Sequence, residues 1–597
     1  REMGRLIAAA LTGTAPIAAG TAREDALAKA ATQKHRYNAE LVRPKNGVLY
    51  YGVRRRAEEN EAEIPRYHRL VELGDGILHD LVERPDRPLA NVPPPSLPPL
   101  PPSPMKEYKF ASGTVKPPQE MLGDLTVANG YAVNVFASEE QFPELRNPLQ
   151  MAFDARGRLW VVTMPSFPHT VPGEQPGDKV LILEDKDRDG RADTCTVFAG
   201  GFDALDGLAF HERGVIVSEQ PRLHLLADTD GNGTADTRTE LLRGIDVTDS
   251  HHGGMVATDP MGFVLFCDGV FHRSQFETPF GVVRGIDSTT YRLNPASGRI
   301  GLEMQNMTPN PWKIVFDGYG NLLQRFGGGH VLDALALPWT PLGVYQAYGT
   351  NTVLNYGKGS ALGAISSPNF PDEFQQGLAS AALLGRYVVS ISALHPDSGP
   401  LVATKRIDVL SSKNSTFRPV DVEFGFDGAL YVSDFSSLII GHAQHAMRDP
   451  QWNHERGRIW RVVHTGRPVV TDWPRIENAS VPELLRLLTH SQNIVRNHVR
   501  IALRKAGAKV APAIDAWMAA QSTASSVSDQ TRLEASWVLA ALGEIRPPWV
   551  EALLRSEDPR YRAAAVQLIR LTVERWPDAV RLLSRAAGDS HPRGAWQ

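Results

Sequence analysis

The chain has 597 residues, of which 42% are hydrophobic, and a formal charge of −4: long enough for three or four domains, with no basic excess to meet a nucleic acid. No run approaches the ~18 apolar residues of a membrane span, so no transmembrane segment is expected. Cys195 and Cys267 are the only cysteines, which excludes a CxxCH haem attachment and any cysteine-based zinc site; they could form one disulfide or stand as two buried thiols.

Residues 1 to 88 read as mixed helix and loop. Met3 to Ala22 looks loosely like a secretory signal, but Thr, Gly and Pro interrupt its apolar core and a plain helix end is the better reading. Arg54, Arg55 and Arg56 precede a glutamate-rich run from Glu58 to Glu63, the solvated face of a helix. Residues 89 to 106 hold NVPPPSLPPLPPSP, a proline-rich linker expected to act as a spacer. A chain that opens on Arg1 and stops within a helical pattern is expected to be a piece of a longer protein.

From 107 to 465 a repeat runs through the chain. Around Phe153, Phe316 and Phe424 the same offsets recur: a proline five before (Pro148, Pro311, Pro419), a glycine four after (Gly157, Gly320, Gly428) and a leucine six after (Leu159, Leu322, Leu430). Weaker copies centre on Phe210, Thr258 and Ala381, with Gly214, Gly262 and Gly385. Each copy is a strand, a tight turn and a second strand, the signal of a β-hairpin. Six copies of a small antiparallel sheet predict a six-bladed β-propeller, with a long β-sandwich as the alternative. In a propeller the first strand of each blade lines the channel, so one repeat position converges from all blades. Six residues before the anchors stand Asn147, Ala204, His252, Asn310, Gln375 and Arg418, a mostly polar set that could form a ligand pocket.

Two acidic loops interrupt the first blades. EDKDRDGRAD places Asp185, Asp187, Asp189 and Asp193 at positions 1, 3, 5 and 9; ADTDGNGTAD places Asp228, Asp230, Asn232 and Asp236 likewise. Alternate oxygens on a tight loop with glycine at position 6 suit Ca²⁺, although the glutamate of an EF-hand at position 12 is missing. The competing reading is two Asx-rich turns. DVTDSHHGG follows, where His251 and His252 precede two glycines; His252 is a candidate general base or a hydrogen-bonded structural residue. Asn306, Asn310 and Trp312 open the fourth blade, and the glycine run 327 to 329 is no phosphate loop. The last blade gathers Asp421, Asp434, His442, His445, Arg448, Asp449, His454 and Arg458; a metal at His442 and His445 or a polar network bracing the blade are both open, the network being preferred.

From about 466 to 597 the apolar period changes to 3.6, and helices recur with an arginine near each start, at Arg496, Arg532, Arg562 and Arg593, a HEAT-like α-solenoid. The expected class is therefore multidomain: a short, mainly helical N-terminal segment, an all-β six-bladed propeller and the solenoid.

RPKNGVLYYGVRRRAEENEAEIPRYHRLVE resembles the C-terminal tail of SGNH (GDSL-type) esterase-like domains, whose nucleophile and Asp-x-x-His element are not found here, so that piece is expected to be inert. The two acidic loops, DSHHGG, NPWKIVFDGYGNL and above all FRPVDVEFGFDGALYVSDFSSLIIGHAQHAMRDPQWNHERGRIWRV resemble the membrane-bound-dehydrogenase propellers of planctomycete and verrucomicrobial-type bacteria. The likeness covers about 120 to 465, and the last motif is specific. Those proteins are distantly similar to soluble quinoprotein glucose and sorbosone dehydrogenases. The resemblance implies pyrroloquinoline quinone over the channel mouth beside calcium, with a histidine taking the substrate hydroxyl proton. On it, His252, His251 and Arg418 are the catalytic candidates. Asn147, Arg284, Asn306, Asn310, Trp312 and Asp421 are the cofactor-binding ones. It further implies an extracytoplasmic oxidoreductase acting on a sugar or alcohol, with a cytochrome c acceptor absent from this chain. Two rivals remain: a non-catalytic glycan- or protein-binding propeller with the helical region as an arm, and a lactonase-like hydrolase with calcium on the axis.

Overall fold

The computed structural model describes residues 47–49, 53–54, 57–83, 96–107, 112–249, 251–305, 309–333, 352–395, 399, 401–441, 445–524 and 527–595. Asn306 and His442 lie outside them, as does the Met3 to Ala22 stretch.

Six antiparallel sheets stand around one axis as a six-bladed β-propeller. Going round, the innermost strands are Pro148–Phe153, Leu205–His211, Ala257–Thr258, Pro311–Phe316, Leu362–Ala364 and Pro419–Phe424. Five of them end in the repeat's hairpin turn. The glycines there, Gly157, Gly214, Gly262, Gly320 and Gly428, have φ from +79° to +145°, a region that side chains with a Cβ avoid. That requirement is what made the repeat visible. We call the side carrying these turns the lower face; each inner strand enters from the upper face.

Blade 5 departs from the predicted register. Its inner strand is Leu362–Ala364, and Ala381 and Gly385 belong to the next hairpin outward, Leu378–Ala382 with Val388–Leu394. Gln375 therefore lies in the lower connection, donating to the carbonyls of Ser367 and Phe370, and takes no part in the upper ring. The ring is closed by the strand Tyr131–Ser138, which pairs along Arg458–His464 as the outer strand of blade 6. Edge-to-face rings of Phe136, Phe153 and Tyr431, with centroids 5.0 and 4.8 Å apart, fill the seam between blades 6 and 1.

The C-terminal region is helical and lies across the lower face. In Asn493–Ala506 the apolar residues Val495, Val499 and Leu503 recur every fourth position and are buried, while Gly507 at φ +80° ends the helix. His498 of that helix donates from Nε2 to the Phe153 carbonyl at 2.7 Å, and Arg504 reaches the Pro260 carbonyl at 3.2 Å. Trp473 and Trp537 pack on Gly157 and Gly320, where a Cβ would come within 2.6 and 2.8 Å of their rings. The region read as an arm is thus seated on the propeller. Among the described residues no helix is long and apolar enough to cross a membrane.

The N-terminal residues also dock on the propeller. Val48, Leu49, Ile64, Tyr67 and Leu70 share a small core with Val171 and Met447 of upper-face loops. The proline-rich stretch lies along the same face, with Ser103 N–H donating to the Arg448 carbonyl at 2.9 Å.

Candidate functional site

Inside the channel the polar side chains come from a position three residues before the anchors. Strands reading PLQMAF, PWKIVF and PVDVEF share one polar position, held by Gln150, Lys313 and Asp421, all three buried, and the last strand adds Glu423 two residues on. Lys313 Nζ crosses to Asp421 Oδ2 at 2.9 Å and to Glu423 Oε1 at 2.6 Å. Gln150 takes the N–H groups of Leu208 and Val256 and donates to the Val256 carbonyl. A Cβ at Gly207 would lie 2.2 Å from Gln150 Oε1, so that position closes only on glycine. Burial pushes the Asp421 carboxyl up, against the pull of Lys313. Asp421 is a member of this plug and does not face the upper mouth.

Below the plug is a cavity of about 200 Å³ walled by Phe153, Phe210, Phe316 and Phe424 and floored by the helix Asn493–Ala506. It is smaller than the ~300–1,000 Å³ of usual ligand pockets. Above the plug the axis is filled: Leu149, Met255, Val420 and Phe435 pack with Phe167, Trp312, Leu383 and Ile440 in one apolar cluster.

The upper-ring residues do gather at that mouth. Asn147 donates to the carbonyls of Phe435 and Asn453 at 2.9 and 2.8 Å, and the Phe435 N–H donates to the Arg418 carbonyl. Phe167 meets both the Phe435 and the His252 rings, at 5.6 and 5.8 Å. Asn147 and Asn310 adopt φ of +43° and +54°, each just ahead of an inner-strand proline. Trp312 is part of the apolar filling. The expected quinone cradle is not assembled, however. The Arg418 guanidinium is turned inward onto the carbonyls of Ser437, Leu383 and Leu438, and burial lowers it to about 10. Arg284 is exposed on the hairpin Gln275–Arg284 inserted in blade 3, bonded to Gln275. With Arg418 and Arg284 both engaged by protein partners, neither guanidinium is placed to hold the carboxylates of a quinone.

His252 is buried against the inner strand of blade 2. Its Nδ1 lies 3.6 Å from Asp206 Oδ1, and its Nε2 donates to the Pro168 carbonyl. Burial raises the Asp206 carboxyl well above its ordinary range. His251 turns away to Asp249 and packs on Phe271. The ring of His169 lies 4.8 Å from that of His252, and His169 is also part of the wall of a larger pocket.

That pocket, about 610 Å³, opens on the upper face between blades 1 and 6. Its walls carry Trp452, His169 and His454 together with Arg146, Lys179, Glu144 and Glu455. Trp452 lies 6.2 Å from the His454 ring, nearly parallel to it, and burial lowers the His454 pKa. No repeat offset marks this pocket, because its parts come from loops. The one available signal was the cluster of Trp452, His454 and Arg448 within the specific closing motif.

The acidic loops join the third and fourth strands of blades 1 and 2, equivalent places on neighbouring blades. Such hairpins open on the lower face, so the loops and His252 stand at opposite ends of the propeller, against the expectation of calcium beside the mouth. In each loop three carboxylates, of Asp185, Asp187 and Asp193 and of Asp228, Asp230 and Asp236, bring oxygens within 4.8 Å of one another. Asp189 and Asn232 instead accept the N–H two residues on, at 2.8 Å. Cys195 and Cys267 are both free thiols.

Residues 117–328 and 344–466 match a family described as a domain of unknown function, DUF7133. The chain belongs to that family. No curated protein matches its sequence. Among solved structures it is similar to the PQQ domain of pyranose dehydrogenase from Coprinopsis cinerea, in holo form, at 15% identity and a TM-score of 0.37, over 57% of this chain and 97% of that one. A gluconolactonase from Xanthomonas campestris is similar at 12% identity and a TM-score of 0.32, over 62% and 99%. Likenesses this distant say nothing of this DUF7133 chain's activity.

Proposed function

We propose that this DUF7133 protein is a ligand-binding propeller whose upper-face pocket takes a hydroxyl-rich small molecule, a sugar or glycan end. The observation that carries the reading is the pocket of about 610 Å³ walled by Trp452 and by acidic, basic and imidazole side chains. An aromatic wall offers apolar contact to C–H faces, and the mixed charges offer donors and acceptors to hydroxyls. The test is calorimetric titration with a panel of mono- and oligosaccharides. Binding in the micromolar to millimolar range, lost in Trp452→Ala, is expected. A folded sample that binds none of them removes the proposal.

A second reading is favoured by the His169 contact, which links the pocket wall to the buried His252–Asp206 pair. A carboxylate-oriented imidazole can take a hydroxyl proton, the role that a sugar or alcohol dehydrogenase needs. Quinone-dependent oxidation with a cytochrome c acceptor stands second because the quinone cradle is not assembled. Its test is dye reduction after addition of pyrroloquinoline quinone and calcium, and absence of turnover sinks it. Calcium at the two lower-face loops is part of the proposal as a structural ion, in keeping with an extracytoplasmic setting where that cation is millimolar. The helical region, read as HEAT-like repeats, is a floor to the propeller in this account.

A further inference from the structure

We propose that residues 96–107 form a stiff gate over the upper pocket, an inference that rests on that pocket being the ligand site. Five of these twelve residues are proline, so the strap has few N–H groups with which to bind the propeller and holds an extended, rod-like shape. It is pinned at its two ends. At one, Leu97 packs into the core of Val171 and Met447, against Gly173, where a Cβ would lie 3.1 Å from the Leu97 carbonyl oxygen. Arg66 donates to the Pro98 carbonyl at 2.6 Å. At the other, Lys106 pairs with Glu59 at 2.7 Å and the Lys106 carbonyl accepts from Gln451 at 2.6 Å.

Between the pins one hydrogen bond, from the Ser103 N–H to the Arg448 carbonyl at 2.9 Å, holds the strap, and the rest of its length spans open space. Leu100 and Pro102 form part of the pocket rim, and the stretch Leu100–Ser103 bridges a further void of about 180 Å³ over Asn60, Glu63 and Arg448. Glu63, buried, binds both Arg66 and Arg448, so one carboxylate ties the strap's support to the pocket wall. A stiff rod held at its ends and by a single bond between them moves as one piece. Loosening either pin then frees the other, and with it the pocket rim.

The test uses thiol labelling and needs no ligand. Val171→Cys places a thiol beneath Leu97, and the unaltered chain gives the background from Cys195 and Cys267. Lys106→Glu, at the far end, sets two carboxylates side by side; nine residues away along an extended rod is about 28 Å. Maleimide labelling of the new thiol is expected to rise about fivefold in Lys106→Glu and to return to its starting rate in Lys106→Glu/Glu59→Lys. Leu97→Ser, which removes the near pin, should accelerate it at least as much. A rate moved by Leu97→Ser and untouched by Lys106→Glu would overturn the gate, since the two ends would then be independent; a rate moved by neither would mean that the strap does not cover the pocket. Failure of saccharide binding would sink the ligand reading while leaving these labelling rates unchanged.

Discussion

Arg593 donates Nη1 and Nη2 to one oxygen of Asp333, at 2.9 and 2.7 Å, with both side chains buried between the last helix and blade 4. Removing one partner of a buried pair leaves an uncompensated charge. Arg593→Ala is therefore expected to cost about 3–5 kcal/mol, read as a lowered urea midpoint. Replacing both partners by apolar residues of similar volume should cost much less. Equal loss in the single and double variants would mean that packing, and not charge, is what the pair provides.

Arg418 is a brace, and its three carbonyl acceptors belong to blade 5 and to the closing loop of blade 6. Buried acceptors left without donors cost about 1–3 kcal/mol each. Arg418→Ala should thus destabilise by several kcal/mol while leaving saccharide affinity in the surviving folded fraction unchanged. A selective loss of affinity at full stability would return this residue to the site.

Asp178 gives a pH signature. Burial pushes its carboxyl up to about 7 from an ordinary 3.8, despite the donors Ser166 and Leu205. Between those two values the folded chain holds a proton that the unfolded chain has released, so stability falls as pH rises through that window, by about 1.4 kcal/mol per unit. Between pH 4.5 and 6.5 the parent chain should lose stability more steeply than Asp178→Asn by about this slope, the share of Asp421, also raised to about 7, being common to both. Parallel slopes in the two proteins would contradict the assignment.

Calcium should stabilise from the lower face. At a hundredfold excess over the dissociation constant, an occupied site contributes about 2.7 kcal/mol, read as a rise in melting temperature reversed by chelation. Asp187→Ala and Asp230→Ala should each abolish one loop's share, and their effects should add, because the loops stand on different blades. No shift with calcium would leave the loops as turns.

The propeller was legible because a turn that demands positive φ fixes a glycine at a constant distance from a phenylalanine near the end of the inner strand. Blade 5 escaped because its inner strand, Leu362–Ala364, is short and lacks both marks, while Ala381 and Gly385 on the next hairpin mimic the spacing. The axis plug was legible in principle: Gln150, Lys313 and Asp421 share one repeat position in largely apolar strands, three residues after the position that marks the upper ring. Asp206, two residues after Ala204, lies at neither position. The inward turn of Arg418 and the loop-built pocket depend on tertiary contacts that no local pattern carries.

The pairing of Tyr131–Ser138 with Arg458–His464 has a consequence for how the molecule is made. The partner of one of its earliest strands is translated more than 300 residues later. During synthesis that strand must wait with an unsatisfied edge, and the first five blades accumulate as an open arc. A nascent chain stalled anywhere before residue 458 should therefore be a protease-sensitive crescent, converting to a resistant ring only when the final strand leaves the ribosome.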